Sequence, residues 1–227
     1  MLDTYDYLTM ETGEVSELAL RAVVFDYGMV LSGPPYPQAH DELRRITGLT
    51  HDEFESCYWT DRLAYDRGDL TGLAFWQKLV SDAKLNLSDD EVSQLNHWDV
   101  RMWSTVNSES LAWHKQLKEN GFKTGILSNM GDSVFEAIER DFSWIADFDV
   151  LIWSYQYRMV KPDLAIYQLL LDRLGTAPEE TLFLDDKLEN IEAAQQLGIR
   201  GLQFSTVDQL RQDLISSGLD EWLPLPR

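Results

Sequence analysis

Ala22-Val23-Val24-Phe25-Asp26-Tyr27-Gly28-Met29-Val30-Leu31 opens on four apolar residues, closes that run with a lone carboxylate and continues into a turn containing glycine. An apolar run without polar alternation suits a strand covered on both faces, as in a parallel sheet. In an open parallel sheet the ligand crevice lies beyond the carboxyl ends of the strands. Asp26 therefore stands where a side chain can face a substrate instead of a core.

Four later segments share this character: Lys123 to Ser128, Asp149 to Trp153, Thr181 to Asp185 and Gly201 to Phe204. Helical patterns separate them. Asn107 to Asn120 stops at Asn120-Gly121, Asp132 to Arg140 and Asp163 to Leu174 each open on an acidic cap, and Glu189 to Leu197 is closed by Gly198. Strand and helix alternate from Asn107 onward, which predicts right-handed crossovers and an α/β, Rossmann-like, parallel five-stranded sheet flanked by helices. From about Gln38 to Val106 there is no strand signal. Helical patterns run there over Ala39 to Ile46, Asp52 to Tyr58, Leu70 to Ala83 and Asp89 to Trp98. This predicts an inserted α-helical cap over residues 36–106, reached through the Gly- and Pro-rich stretch Ser32 to Pro37 and left near Ser104 to Ser108. The α/β core then comprises residues 20–35 and 107–227, preceded by an acidic arm over residues 1–19.

Composition narrows the partners. With 19 Lys+Arg against 39 Asp+Glu, the formal net charge of −20 opposes nonspecific binding to nucleic acid or an anionic membrane. A phosphorylated ligand would need local positive charge from Lys, Arg or a metal ion. The single cysteine, Cys57, excludes an internal disulfide framework and is expected as a small buried hydrophobe in a reducing compartment. Asp3, Asp6, Glu11 and Glu14 occupy the N-terminus where a signal peptide is basic, and no apolar run approaches the roughly 20 residues of a membrane span. The expectation is a soluble, cytoplasmic protein that binds a small molecule. Its oligomeric state is open.

Four short motifs fall at or just after strand ends: Asp26-Tyr27-Gly28, Ser128-Asn129, Lys161-Pro162-Asp163 and Asp185-Asp186. Taken singly, each has a plainer use as a turn, a helix cap or a solvated charge. As an ordered set over residues 21–206 they resemble the haloacid dehalogenase-like hydrolase superfamily, most of whose members are magnesium-dependent phosphatases. Leu-Asp-Asp-Lys-Leu-Glu-Asn-Ile-Glu-Ala-Ala and Lys-Pro-Asp-Leu-Ala-Ile-Tyr are similar to the subgroup that includes bacterial glucose-1-phosphate phosphatase and the phosphatase-like domain of soluble epoxide hydrolase. Tyr65-Asp66-Arg67-Gly68-Asp69-Leu70-Thr71 resembles that subgroup's cap turn facing the active site.

A carboxylate can attack phosphorus and form an acyl phosphate that water later hydrolyses, which makes Asp26 the candidate nucleophile. Ser128 and Asn129 offer donors to a phosphoryl oxygen. The resemblance implies that Lys161 neutralises Asp26 and the transferring group. It also implies that Mg2+ is held by Asp26, the carbonyl of Gly28 and Asp186, with Asp185 behind them. The residues alone leave the division between Asp185 and Asp186 open, and Asn190 either meets a metal-bound water or braces the loop. The implied substrate is a small phosphorylated metabolite, a sugar phosphate among the options.

Gly28 departs from the family pattern. Most phosphatases of the superfamily carry a second Asp two residues after the nucleophile, as proton donor and acceptor, and that aid is typically worth ~10²- to 10⁴-fold. Asp185, Asp66, Tyr65 or a metal-bound water are the candidate replacements. Two alternatives follow: a binding or regulatory protein with little catalysis, and a 2-haloacid dehalogenase, whose halide needs no proton but whose chemistry leaves the acidic pair unexplained. His40, His51, His97 and His114 are scattered without ligand spacing and are expected to be structural or exposed. Trp59, Trp76, Trp98 and Trp103 serve as cap packing, as an apolar wall over the substrate or as a dimer surface.

Overall fold

The computed structural model describes residues 19–227; the acidic arm predicted over residues 1–19 lies outside the described residues apart from Ala19. Strand β1, Ala22–Phe25, ends one residue before Asp26, and a wide turn follows over Tyr27–Leu31. Five helices come next: α1 Pro37–Thr47, α2 His51–Thr60, α3 Arg62–Asp66, α4 Gly72–Asp82 and α5 Asp89–Met102. The chain then alternates through α6 Ser108–Glu119, β2 Lys123–Ser128, α7 Asp132–Asp141, β3 Val150–Trp153, α8 Ser154–Tyr157, α9 Leu164–Leu174, β4 Thr181–Asp185, α10 Leu188–Gln196, β5 Arg200–Gln203 and α11 Val207–Ser216.

All five strands are parallel, in the order β3-β2-β1-β4-β5, with Phe25 paired to Ile126 on one side and Leu184 on the other. The chain builds outward from β1 in one direction and then returns to build in the other, so the crevice at the carboxyl end of β1 is the topological switch point. The continuous apolar character of β1 has a direct cause. Val23 and Phe25 pack into one buried layer with Trp113, Ile138 and Leu214, while Ala22 and Val24 pack into the opposite one with Ile166, Leu170 and Ala194. His114 is buried against the first layer, its ring stacked on Phe148 at 3.8 Å and Nε2 3.1 Å from Thr124 Oγ1.

The helical insertion has a core of its own, made by Leu43, Phe54, Tyr58, Phe75, Trp76 and Leu95. The exit and return segments lie side by side, since Asn107 N donates to Leu31 O at 2.9 Å and Thr105 Oγ1 to Pro34 O at 2.9 Å. Several expectations are corrected. Helices α3, α8 and α11 carry no prediction, the first two because five and four residues are too few to show a period. Asp132 does not cap its helix: Gly131 holds that position, and the Asp132 carboxylate accepts from Gly72 N at 2.8 Å, tying insertion to core. Asp163 holds the cap position of α9 without a side-chain cap bond. Cys57 is half-buried at the edge of the insertion core. Among the described residues, no helix is long and apolar enough to cross a membrane.

Candidate active site

Three adjacent strands deliver the site. Asp26 N still bonds Leu184 O at 2.8 Å, so the carboxylate leaves the sheet level with the last residue of β4, Asp185. Ser128 ends β2. Lys161 arrives from the loop between α8 and α9 and is nearly inaccessible; its Nζ lies 3.0 Å from Asp26 Oδ1 and 2.6 Å from Asp185 Oδ2. The Lys161–Pro162 bond is cis. Asn129 fixes this loop: its Nδ2 donates to Lys161 O at 2.8 Å and its Oδ1 accepts from Lys161 N at 2.8 Å. The side-chain amide thus positions the lysine loop, while Asn129 also lines the cavity.

The two adjacent acids occupy different places. Asp185 is fully buried and accepts from Lys161 Nζ, from Lys187 N at 2.8 Å and from Asn190 Nδ2 at 3.0 Å. Asp186 is half-buried and lines the cavity. Asn190 therefore braces Asp185. Burial pushes the Asp26 carboxyl up to about 6 against the pull of Lys161, and Asp185 and Asp186 add to the rise. Burial likewise raises Asp186, with Asp185 adding to it. Burial alone would lower Lys161, but the two carboxylates facing it hold it above its ordinary value. One carboxylate oxygen from each of Asp26, Asp185 and Asp186 lies within 4.8 Å of the others. Three carboxylates against one ammonium, with oxygen the only donor atom, make a set that suits a hard divalent cation such as magnesium.

These groups open into a cavity of about 440 Å³ roofed by the insertion. Tyr27, Met29, Trp59 and Trp103 form its apolar walls, while Trp76 is buried in the insertion core and Trp98 packs against it. The Tyr65–Thr71 turn docks on the core. Ser154 Oγ donates to Asp66 O, Arg158 Nη2 lies 3.2 Å from Asp69 Oδ1, and a Cβ on Gly131 would overlap the Tyr65 ring. Of the side chains that could replace the missing acid, Asp185 is sealed beneath Lys161 and Tyr65 is wedged against Gly131. Asp66 opens on the cavity, and burial raises its pKa although Arg62 Nε sits 3.0 Å from Oδ1.

Sequence reasoning missed two cations of the wall, Arg62 and Lys187. Arg62 is buried and also pairs with Asp99 Oδ1 at 3.2 Å. Its spacing of four from Asp66 on one helix was the available signal.

The profile of the haloacid dehalogenase-like hydrolase family matches residues 20–198. The chain belongs to that family. Phosphatase MT3486 of Mycobacterium tuberculosis is 26% identical over 202 residues, covering 87% of this chain and 93% of that protein. Bifunctional epoxide hydrolase 2 of Sus scrofa is 27% identical over 213 residues, but the chain matches 38% of its length. In structure, the HAD family enzyme BT-2542 of Bacteroides thetaiotaomicron, solved with magnesium and inorganic phosphate, superposes with a TM-score of 0.68 at 21% identity, covering 81% of this chain and 93% of that one. This likeness is one of fold. The chain is a haloacid dehalogenase-like hydrolase whose named relatives include phosphatases.

For this hydrolase the buried Lys161 has a measurable consequence. Removing one member of a buried charge cluster strands the others, at about 3–5 kcal/mol. Lys161→Met is expected to lower unfolding stability by that order in metal-free buffer. Urea titrations of the parent and the variant check this, and an unchanged midpoint would count against the pairing.

Proposed function

We propose that the protein is a magnesium-dependent phosphohydrolase that acts on a small phosphorylated metabolite through an aspartyl-phosphate on Asp26. The observation that carries this is the Asp26 carboxylate at the floor of the cavity, 3.0 Å from a buried lysine and beside two further carboxylates. One Asp26 oxygen attacks phosphorus, the bond to the leaving oxygen breaks, and water then attacks the acyl phosphate, releasing phosphate and restoring the carboxylate. Asp26, Asp186 and the Gly28 carbonyl would hold the magnesium ion, which offsets the negative charge of the phosphoryl group when bound. Lys161 adds fixed positive charge, Asp185 and Asn129 hold Lys161 in place, and Ser128 stands beside Asp26 to donate to a phosphoryl oxygen.

Gly28 gives the leaving oxygen no proton, so phosphates with less basic leaving groups are favoured. The test is a panel of phosphate esters with and without magnesium, comparing sugar 1-phosphates, 6-phosphates and aryl phosphates. Magnesium-dependent phosphate release that is faster for the 1-phosphates and aryl esters supports the proposal. Phosphate and magnesium binding with no turnover of any ester supports the regulatory alternative, which Gly28 motivates.

A further inference from the structure

The histidines that look scattered in the sequence are not all scattered in space. His40 on α1 and His51 and Glu55 on α2 meet at the surface of the insertion, with one ligand atom from each lying within 4.8 Å of the others. His40 Nε2 is 2.8 Å from Glu55 Oε1, and the His40 and His51 rings are 5.5 Å apart. We propose that His40, His51 and Glu55 form a binding site for a zinc-class divalent metal, separate from the carboxylate cluster around Asp26.

Three features carry it beyond a surface ion pair. His51 and Glu55 are four residues apart on one helix, which places both on the same face, and His40 reaches them from the neighbouring helix. Two imidazoles and a carboxylate are a donor set that zinc accepts with a fourth position open, whereas magnesium prefers oxygen alone. The site is also braced. Trp59 Nε1 donates to Glu55 Oε2 at 2.9 Å, and Phe54 meets the His40 ring edge-on at 5.3 Å. A hydrogen bond such as that from Trp59 to the Glu55 carboxylate orients a metal ligand.

A tetrahedral ion with bonds of about 2 Å draws its ligand atoms to within roughly 3.5 Å of one another. His40 and Glu55 are already closer than that, and His51, exposed at the first position of α2, can swing in. Helix α2 keeps its own N-terminal cap, Thr50 with Glu53, whatever stands at residues 51 and 55. The brace leads inward: Trp59 lines the cavity, and Lys187, next to Asp186, places Nζ 5.7 Å from its ring centroid. A metal on Glu55 therefore bears on a side chain of the cavity wall.

Zinc and cobalt titrations of the full chain in excess magnesium test the proposal. The expected result is one equivalent of cobalt giving visible absorption of tetrahedral intensity, and that spectrum persisting in Asp26→Asn. His51→Ala is expected to abolish the cobalt spectrum and Glu55→Gln to weaken zinc binding at least tenfold. Trp59→Phe is expected to cost about tenfold in zinc affinity, the lower end for outer partners. No cobalt spectrum in the parent protein, or an unchanged one in both His51→Ala and Glu55→Gln, overturns the site. Neither result depends on whether phosphate esters are hydrolysed.

Discussion

Replacing Asp26 with Asn is expected to reduce phosphate-ester turnover by about 10⁴- to 10⁶-fold, the scale on which loss of a nucleophile is felt, without loss of the fold. The separation of the two effects follows from the charges. Asp26 is ionised against a burial penalty that pushes its carboxyl up to about 6, and Asp185 and Asp186 oppose it further. A carboxyl whose folded pKa exceeds its unfolded value destabilises the folded state as pH rises through that interval. Asn removes this penalty, can still accept from Tyr27 N, which donates to Asp26 Oδ1 at 2.7 Å, and leaves Lys161 paired with Asp185. The metal-free variant should therefore unfold at or above the parent's midpoint at pH 7. Acid-quench labelling with a radioactive phosphate ester should trap phosphate on the parent and not on the variant. Retained magnesium-dependent turnover by a well-folded Asp26→Asn would remove the nucleophile from the proposal.

The parts of the fold legible in the sequence are those governed by one local variable. Strands buried on both faces show as apolar runs, and helices end where Gly175 and Gly198 adopt positive φ. The strand-end motifs are legible for the same reason, because a polar group that interrupts an apolar run is visible without knowing its partner. What stayed hidden depends on contacts between distant segments. Asn129 is committed to the backbone of a residue 32 positions away, and Arg62 pairs with Asp99 across 37. The division of labour between Asp185 and Asp186 is decided by which acid lies under the lysine and which reaches the cavity, and neighbouring residues of one type carry no mark of that. His40 and His51 meet because α1 and α2 pack against each other, which no spacing rule along one helix expresses.

Putting a carboxyl back at residue 28 is expected to increase turnover of alkyl phosphates by ~10²- to 10⁴-fold, the range that general acid-base aid supplies. The backbone allows it: Gly28 has φ −60 and ψ 129, which any L-residue adopts, and a Cβ there would meet only Asp26 Oδ2, at 3.9 Å. The new side chain would enter the cavity among like charges, which raise its pKa and keep a larger protonated share near neutrality, as a proton donor requires. Its effect should depend on the leaving group. Alkoxides need the proton and should gain the full factor; a nitrophenolate departs unaided and should gain little, so the dependence of rate on leaving-group basicity flattens in Gly28→Asp. Gly28→Asn supplies the same shape without a transferable carboxyl proton and should leave that dependence as steep as in the parent. The added charge also predicts lower stability without magnesium and stronger dependence on the ion. Equal rates for Gly28→Asp and the parent on alkyl phosphates would mean that proton transfer is already served, and Asp66, the one of the three side-chain candidates that opens on the cavity, is then the residue to replace.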